Sequence, residues 1–67
     1  MKRQNLKLFR KQHGLTQAQM AEKLGISMAH YRNIETGIYD PSYNLMERFQ
    51  DRFDVNSYAM WGIFKKV

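Results

Sequence analysis

The stretch from Thr16 to Gly37, TQAQMAEKLGISMAHYRNIETG, limits what this chain can fold into more than any other, because it reads as two short helices meeting at one glycine. Thr16 with Gln19 forms a T-x-x-Q capping box, which starts a helix at Thr16. Met20, Ala21 and Leu24 then recur at the i, i+3/i+4 spacing of one buried face. Gly25 can take the left-handed backbone that stops a helix within one residue, Ile26 plugs the corner, and Ser27 is a good N-cap for the next helix. Ala21 is small where a larger side chain would hold the two helix axes apart.

The second of these helices, residues 28–36, divides into two faces at about 100° per residue. Tyr31 and Ile34 fall on one side and anchor it. Met28, Ala29, Arg32 and Asn33 fall on the opposite side with Thr36, where a partner can reach them. Arg and Asn beside a small Ala and an apolar Met suit the edges of base pairs: Arg pairs with guanine, Asn with adenine, and Ala or Met meets a thymine methyl. On an isolated helix the same residues would be ordinary solvated surface. The capped helix and glycine turn in front of them favour base reading.

Sixty-seven residues allow a single domain, 1–67, near the lower limit for folding without staples. With no cysteine, neither disulfides nor thiolate metal sites can supply a staple, so apolar packing must, alone or with a second subunit. Eleven Lys and Arg against six Asp and Glu give a net charge of +5, which favours an anionic partner. No membrane span or secretory signal is visible, so the chain is expected in the cytoplasm, with the nucleoid. The Met1 start argues against trimming at the N-terminus.

Five helices and no linker or repeat account for the rest. The first covers roughly residues 2–13, with Leu6 and Phe9 inward and His13-Gly14 as its stop. His13 reads as a favourable charge at a helix C-terminus rather than a ligand. The fourth helix begins after Asp40-Pro41-Ser42 and sets Met46, Phe49 and Phe53 in the core, not around a cofactor. Asn56 or Ser57 caps a last helix carrying Tyr58, Met60, Trp61, Ile63 and Phe64. Its apolar residues lie on more than one face, more than a core this small needs. Either the segment wraps the bundle, or Tyr58, Trp61 and Phe64 form a homodimer interface.

From Leu6 to about Trp61 the chain resembles the phage repressor and Cro-type helix-turn-helix family of small bacterial and phage transcription regulators. The matching pieces are L-x-x-F-R at Leu6–Arg10, G-L-T-Q at Gly14–Gln17, M-A-x-K-L-G-I-S at Met20–Ser27, I-E-x-G at Ile34–Gly37 and P-S at Pro41–Ser42. The resemblance implies an all-α, compact five-helix, lambda-repressor-like DNA-binding domain, a repressor that reads a palindromic operator as a homodimer. It also implies that Arg10 pairs with Glu35, as a basic residue of helix one does with the Glu of I-E-x-G in the family. The chain departs from the pattern after Gly37, where Ile38, Tyr39 and Asp40 replace the usual Lys or Arg. The phosphate grip is expected to be weaker there, with Tyr39 a neutral substitute donor or the loop turned to a protein partner. Gln50 stands where a small Ala is usual, and Asp54 where Gly is common.

Docking the third helix in the major groove assigns the phosphate contacts. The start of the second helix offers free N–H groups at Gln17 and Ala18 with the Thr16 and Gln17 side chains. Ser27, His30 and Thr36 sit at the edge of the reading face, Tyr39 in the loop after it, and Tyr43 and Asn44 at the start of the fourth helix. No metal site or cofactor is expected, and no enzyme: the two histidines lie on helices facing different ways, and no nucleophile elbow or P-loop is present. Two other functions use the same fold, the antitoxin of a toxin–antitoxin pair, which binds a toxin protein as well as DNA, and a pure protein-interaction module.

Overall fold

In the computed structural model, which describes residues 1–67, the polar caps set the helix starts. The elements are α1 (Gln4–Gln12), α2 (Gln17–Leu24), α3 (Met28–Glu35), α4 (Tyr43–Phe53) and α5 (Ser57–Phe64), with no strand. Thr16, Ser27, Ser42 and Asn56 precede α2 to α5, and each side-chain oxygen accepts the backbone N–H three residues on. Such a cap is worth about 1 kcal/mol. At Thr16 the box is reciprocal: Thr16 N–H donates to Gln19 Oε1 at 2.9 Å, and Gln19 N–H to Thr16 Oγ1 at 3.1 Å. Gly25 closes α2 in the left-handed region at φ +70°. A Cβ there would lie 2.9 Å from Arg48 Nη1, the donor to the Leu24 carbonyl. The backbone conformation selects glycine, and the Arg48 side chain would have to shift for any other residue.

α1 is shorter at each end than the expected 2–13. The Arg3 N–H donates to the Glu35 carbonyl at 2.9 Å, which draws Met1–Arg3 alongside the end of α3 instead of into a helix. At the other end the His13 ring stacks on Phe9 with centroids 4.1 Å apart, and Nδ1 lies 2.9 Å from the Phe9 carbonyl. His13 therefore caps its own helix, as a C-terminal residue should.

α2 and α3 pack on each other, α4 lies against α2, and α5 against α1 and α4. Between them ten apolar side chains are buried: Leu6, Met20, Ala21, Leu24, Tyr31, Ile34, Leu45, Phe49, Met60 and Phe64. On α4 the buried pair is Leu45 and Phe49, while Met46 and Phe53, expected inside with Phe49, are half-buried at the margins. α4 touches α1, α2 and α5, so its inward stripe is wide and centred on Phe49. That ring meets Phe9, Phe53 and Phe64 with centroids 5.2, 4.8 and 4.9 Å away.

The last helix corrects one expectation. Phe64 is 7% exposed, edge-on to Phe49, and belongs to the core rather than to an intersubunit surface. Met60 and Phe64 are one turn apart and share the inward face. Tyr58 and Trp61 point away and are 91% and 73% exposed. The two unusual residues of α4 shape the turn into α5. Asp54 takes the left-handed conformation in place of glycine at φ 52°. The Gln50 side-chain amide donates to the Val55 carbonyl at 3.3 Å and to Ser57 Oγ at 3.4 Å, stapling the turn. No helix is long and apolar enough to cross a membrane.

Candidate nucleic-acid interface

The inward face of α3 is fixed by a buried polar network. Arg10 of α1 meets Glu35 in a two-pronged pair, Nε–H donating to Oε2 at 2.9 Å and Nη2–H to Oε1 at 3.1 Å. The Tyr31 hydroxyl donates to Oε2 at 2.6 Å, and the Gln17 side-chain amide donates to Oε1 at 3.3 Å. Arg10 also donates through Nη1 to the Leu15 carbonyl at 2.9 Å. Burial raises the pKa of Glu35, but the hydrogen bonds from Arg10, Tyr31 and Gln17 outweigh it and hold the carboxyl below its ordinary value. The hydrogen bond to Glu35 raises the Arg10 pKa against its own desolvation. Burial, and then the bond to Glu35, push the Tyr31 hydroxyl well above its usual range. Three helices thus lock to one carboxylate, which the implied Arg10–Glu35 pair only partly anticipates.

With Tyr31, Ile34 and Glu35 inside, the rest of α3 is open. Met28, Ala29 and Arg32 are exposed, and Asn33 and Thr36 half-buried, on one continuous side. The hydroxyl of Thr36 lies 3.0 Å from the Arg32 carbonyl and 3.3 Å from that of Asn33, so its hydrogen is committed within α3. Two helix starts carry groups that suit an anion. The caps leave Gln17 and Ala18 of α2, and Tyr43 and Asn44 of α4, with free backbone N–H groups at the positive ends of their helix dipoles. Thr16 Oγ1 accepts in its cap, which leaves its hydrogen available to a further acceptor. Ser27 is likewise a cap, its Oγ accepting from the His30 N–H at 3.1 Å.

Tyr39 is held at both backbone groups. Its N–H donates to the Asn33 carbonyl at 3.1 Å, and its carbonyl accepts from Arg3 Nη1 at 3.0 Å. The ring projects outward, half-exposed, tilted against His30 at 6.0 Å. The loop is therefore a fixed extension of the α3 edge. Gly37 permits it at φ +87°, because a Cβ would run into the Met1 carbonyl.

Arg3 was invisible to sequence reasoning. It is 4% exposed and donates from Nε to the Phe64 carbonyl and from Nη1 to the Ile34 carbonyl, each at 2.8 Å, and from Nη2 to Asp40 Oδ1 at 2.7 Å. Lys66 Nζ lies 3.3 Å from the same oxygen. The hydrogen bonds from Arg3 and then Lys66 keep the Asp40 carboxyl below its ordinary pKa. Asp40 is thus an ion-pair partner of Arg3, not merely a missing phosphate contact. Its only sequence signal was an acidic residue in a loop where the family carries a base.

Residues 6–58 match the helix-turn-helix family model. A helix-turn-helix-type transcriptional regulator of Bacillus subtilis is 42% identical over 53 residues, 79% of this chain and 46% of that protein. One from Methanocaldococcus jannaschii is 44% identical over 50 residues, covering 75% of this chain and 76% of the relative. The immunity repressor of Bacillus phage phi105 is 34% identical over 59 residues, 88% of this chain and 41% of its own length. The chain therefore spans less than half of two of these three relatives. No solved structure matches it significantly. With a capped α2, a glycine corner at Gly25, an α3 open along Met28–Asn33 and a match over residues 6–58, the chain belongs to the helix-turn-helix family, in its phage repressor and Cro-type branch.

Proposed function

We propose that this chain is a sequence-specific double-stranded DNA-binding transcriptional regulator, a repressor, that lays α3 in the major groove. The observation that carries this reading is the open side of α3, packed against α2, whose start has free N–H groups and a positive dipole end. Met28, Ala29, Arg32 and Asn33 meet base edges. Thr16, Gln17, Ser27, His30, Tyr39, Tyr43 and Asn44 hold phosphates, with Thr36 contributing through its place at the end of α3. The names of the relatives, two transcriptional regulators and a phage immunity repressor, support regulation and repression.

One module of this kind buries only about 600–1,000 Å² on DNA, which favours a two-fold dimer with α3 helices about 34–36 Å apart. Exposed Tyr58 and Trp61 suit that dimer's interface; Phe64 supports it from the core. A toxin protein, if the chain were an antitoxin, would cover the same two residues. Selection of bound sites from a random duplex library tests the whole reading. A palindromic consensus is expected; the absence of any enriched site would refute sequence-specific binding, and a single unrepeated site would refute the dimer.

A further inference from the structure

The carboxylates are distributed unevenly over this molecule. Residues 1–21 carry Lys2, Arg3, Lys7, Arg10 and Lys11 and no Asp or Glu, whereas α4 and its cap mix Glu47, Asp51 and Asp54 with Arg48 and Arg52. A groove of about 260 Å³, lined only by polar residues, runs along α1 past Lys2, Lys7 and Lys11 to Gln17 and Thr36. Two of the five cations are spent: Arg10 neutralises Glu35, and Arg3 pairs with Asp40. The three lysines are exposed and have no carboxylate partner among the ion pairs of the protein. Lys7 and Lys11 are also one helical turn apart, and no acidic residue offsets the positive start of α1. The like-charge pair is mildly unfavourable for the free protein and is relieved by a bound anion.

We infer that Lys7 and Lys11, with Lys2 at the groove's end, form a second line of contact to the DNA phosphate backbone, continuing outward from Gln17 and Thr36. This rests on the DNA-binding reading and extends it to α1, a helix outside the two-helix reading unit. The contact is electrostatic and independent of sequence. It replaces the cations missing from the loop at Ile38–Asp40.

The test measures the dissociation constant for a mixed-sequence duplex across a series of salt concentrations, for the full chain and for Lys7→Gln, Lys11→Gln and the double variant. Each single variant is expected to lower the slope of log K against log salt by about 0.9, and the double by about 1.8. Lys23→Gln, on the last turn of α2 beside α4, removes one charge outside the groove and should leave the slope unchanged. Helix content by circular dichroism reports that the variants fold. If the wild type binds with a steep slope but the α1 variants keep it, or if Lys23→Gln lowers it equally, this inference falls and the DNA-binding reading stands. If the wild type shows no salt-dependent binding, both fall.

Discussion

At the scale of the residue, Glu35 is the point where α1, α2 and α3 are held together. Its folded pKa is depressed, so its contribution is complete above its ordinary value of 4.5 and is lost as pH falls through the folded value. Asp40 adds to the same acid limb through Arg3 and Lys66. The Tyr31 pKa is raised, so its contribution is complete below 10.0 and is lost as pH rises beyond. Thermal melting across pH should show a plateau bounded on both sides, and Glu35→Gln should flatten the acid limb down to the part Asp40 supplies. The variant itself should be less stable by about 3–5 kcal/mol, because it leaves Arg10 buried without its counter-charge. Arg32 and Asn33 behave differently, being free of the network. Changing either to Ala should cost about 1–3 kcal/mol on the preferred operator and far less on random DNA, with melting unchanged. Equal losses on both duplexes would place these residues on phosphates.

At the scale of the element, the side chain at the head of α2 fixes the fold and is free to donate further. Thr16 closes the capping box, and its hydrogen is free to donate. Thr16→Ala should cost about 1 kcal/mol in urea unfolding and weaken DNA binding as well. Thr16→Asp separates the roles. Asp caps at least as well and suits the positive helix end, so stability should hold, while its charge faces the phosphates and affinity should fall. Unchanged affinity in Thr16→Asp would place the start of α2 away from the duplex. The helices themselves were legible in advance because caps, stops and apolar spacing are local. The Met46–Phe49–Phe53 stripe was misplaced because spacing gives a face but not its centre. That centre was decided by the several helices packed on α4.

At the scale of the whole molecule, Arg3 ties the first residues, the loop after α3 and the end of α5 into one closure. Arg3→Met would strip donors from carbonyls of Phe64 and Tyr39 and should destabilise the chain by about 3 kcal/mol, read by urea unfolding. Asp40→Asn, at an exposed partner, should shift the melting temperature far less. Asp40→Lys, which a reading of the loop as a simple phosphate strap would favour, instead sets a third cation against Arg3 and Lys66 and should loosen the loop. The proposed dimer belongs to this scale too. Trp61→Lys, on the exposed side of α5, should leave helix content intact and give a monomer in analytical ultracentrifugation with operator affinity at least tenfold weaker, since two half-sites no longer bind together. Phe64→Lys should unfold the chain, because a charged group cannot be solvated beside Phe49. A Trp61→Lys variant that stays dimeric would move the interface elsewhere.

The sequence by itself determined the five helices, the glycine corner and which side of α3 faces outward, because each follows from neighbours within one or two turns. Glycine freedom, capping and a 3.6-residue period need no knowledge of the rest of the chain. The resemblance added Arg10 and Glu35 as partners. Only the tertiary structure decided that Tyr31 and Gln17 join that pair and that Phe64 is interior while Trp61 is not. It alone revealed that Arg3 and Asp40 hold each other across 37 positions of chain. Such contacts depend on where separate helices come to rest, and an exposed or buried future for Arg, Asp or Phe is undetermined until they do.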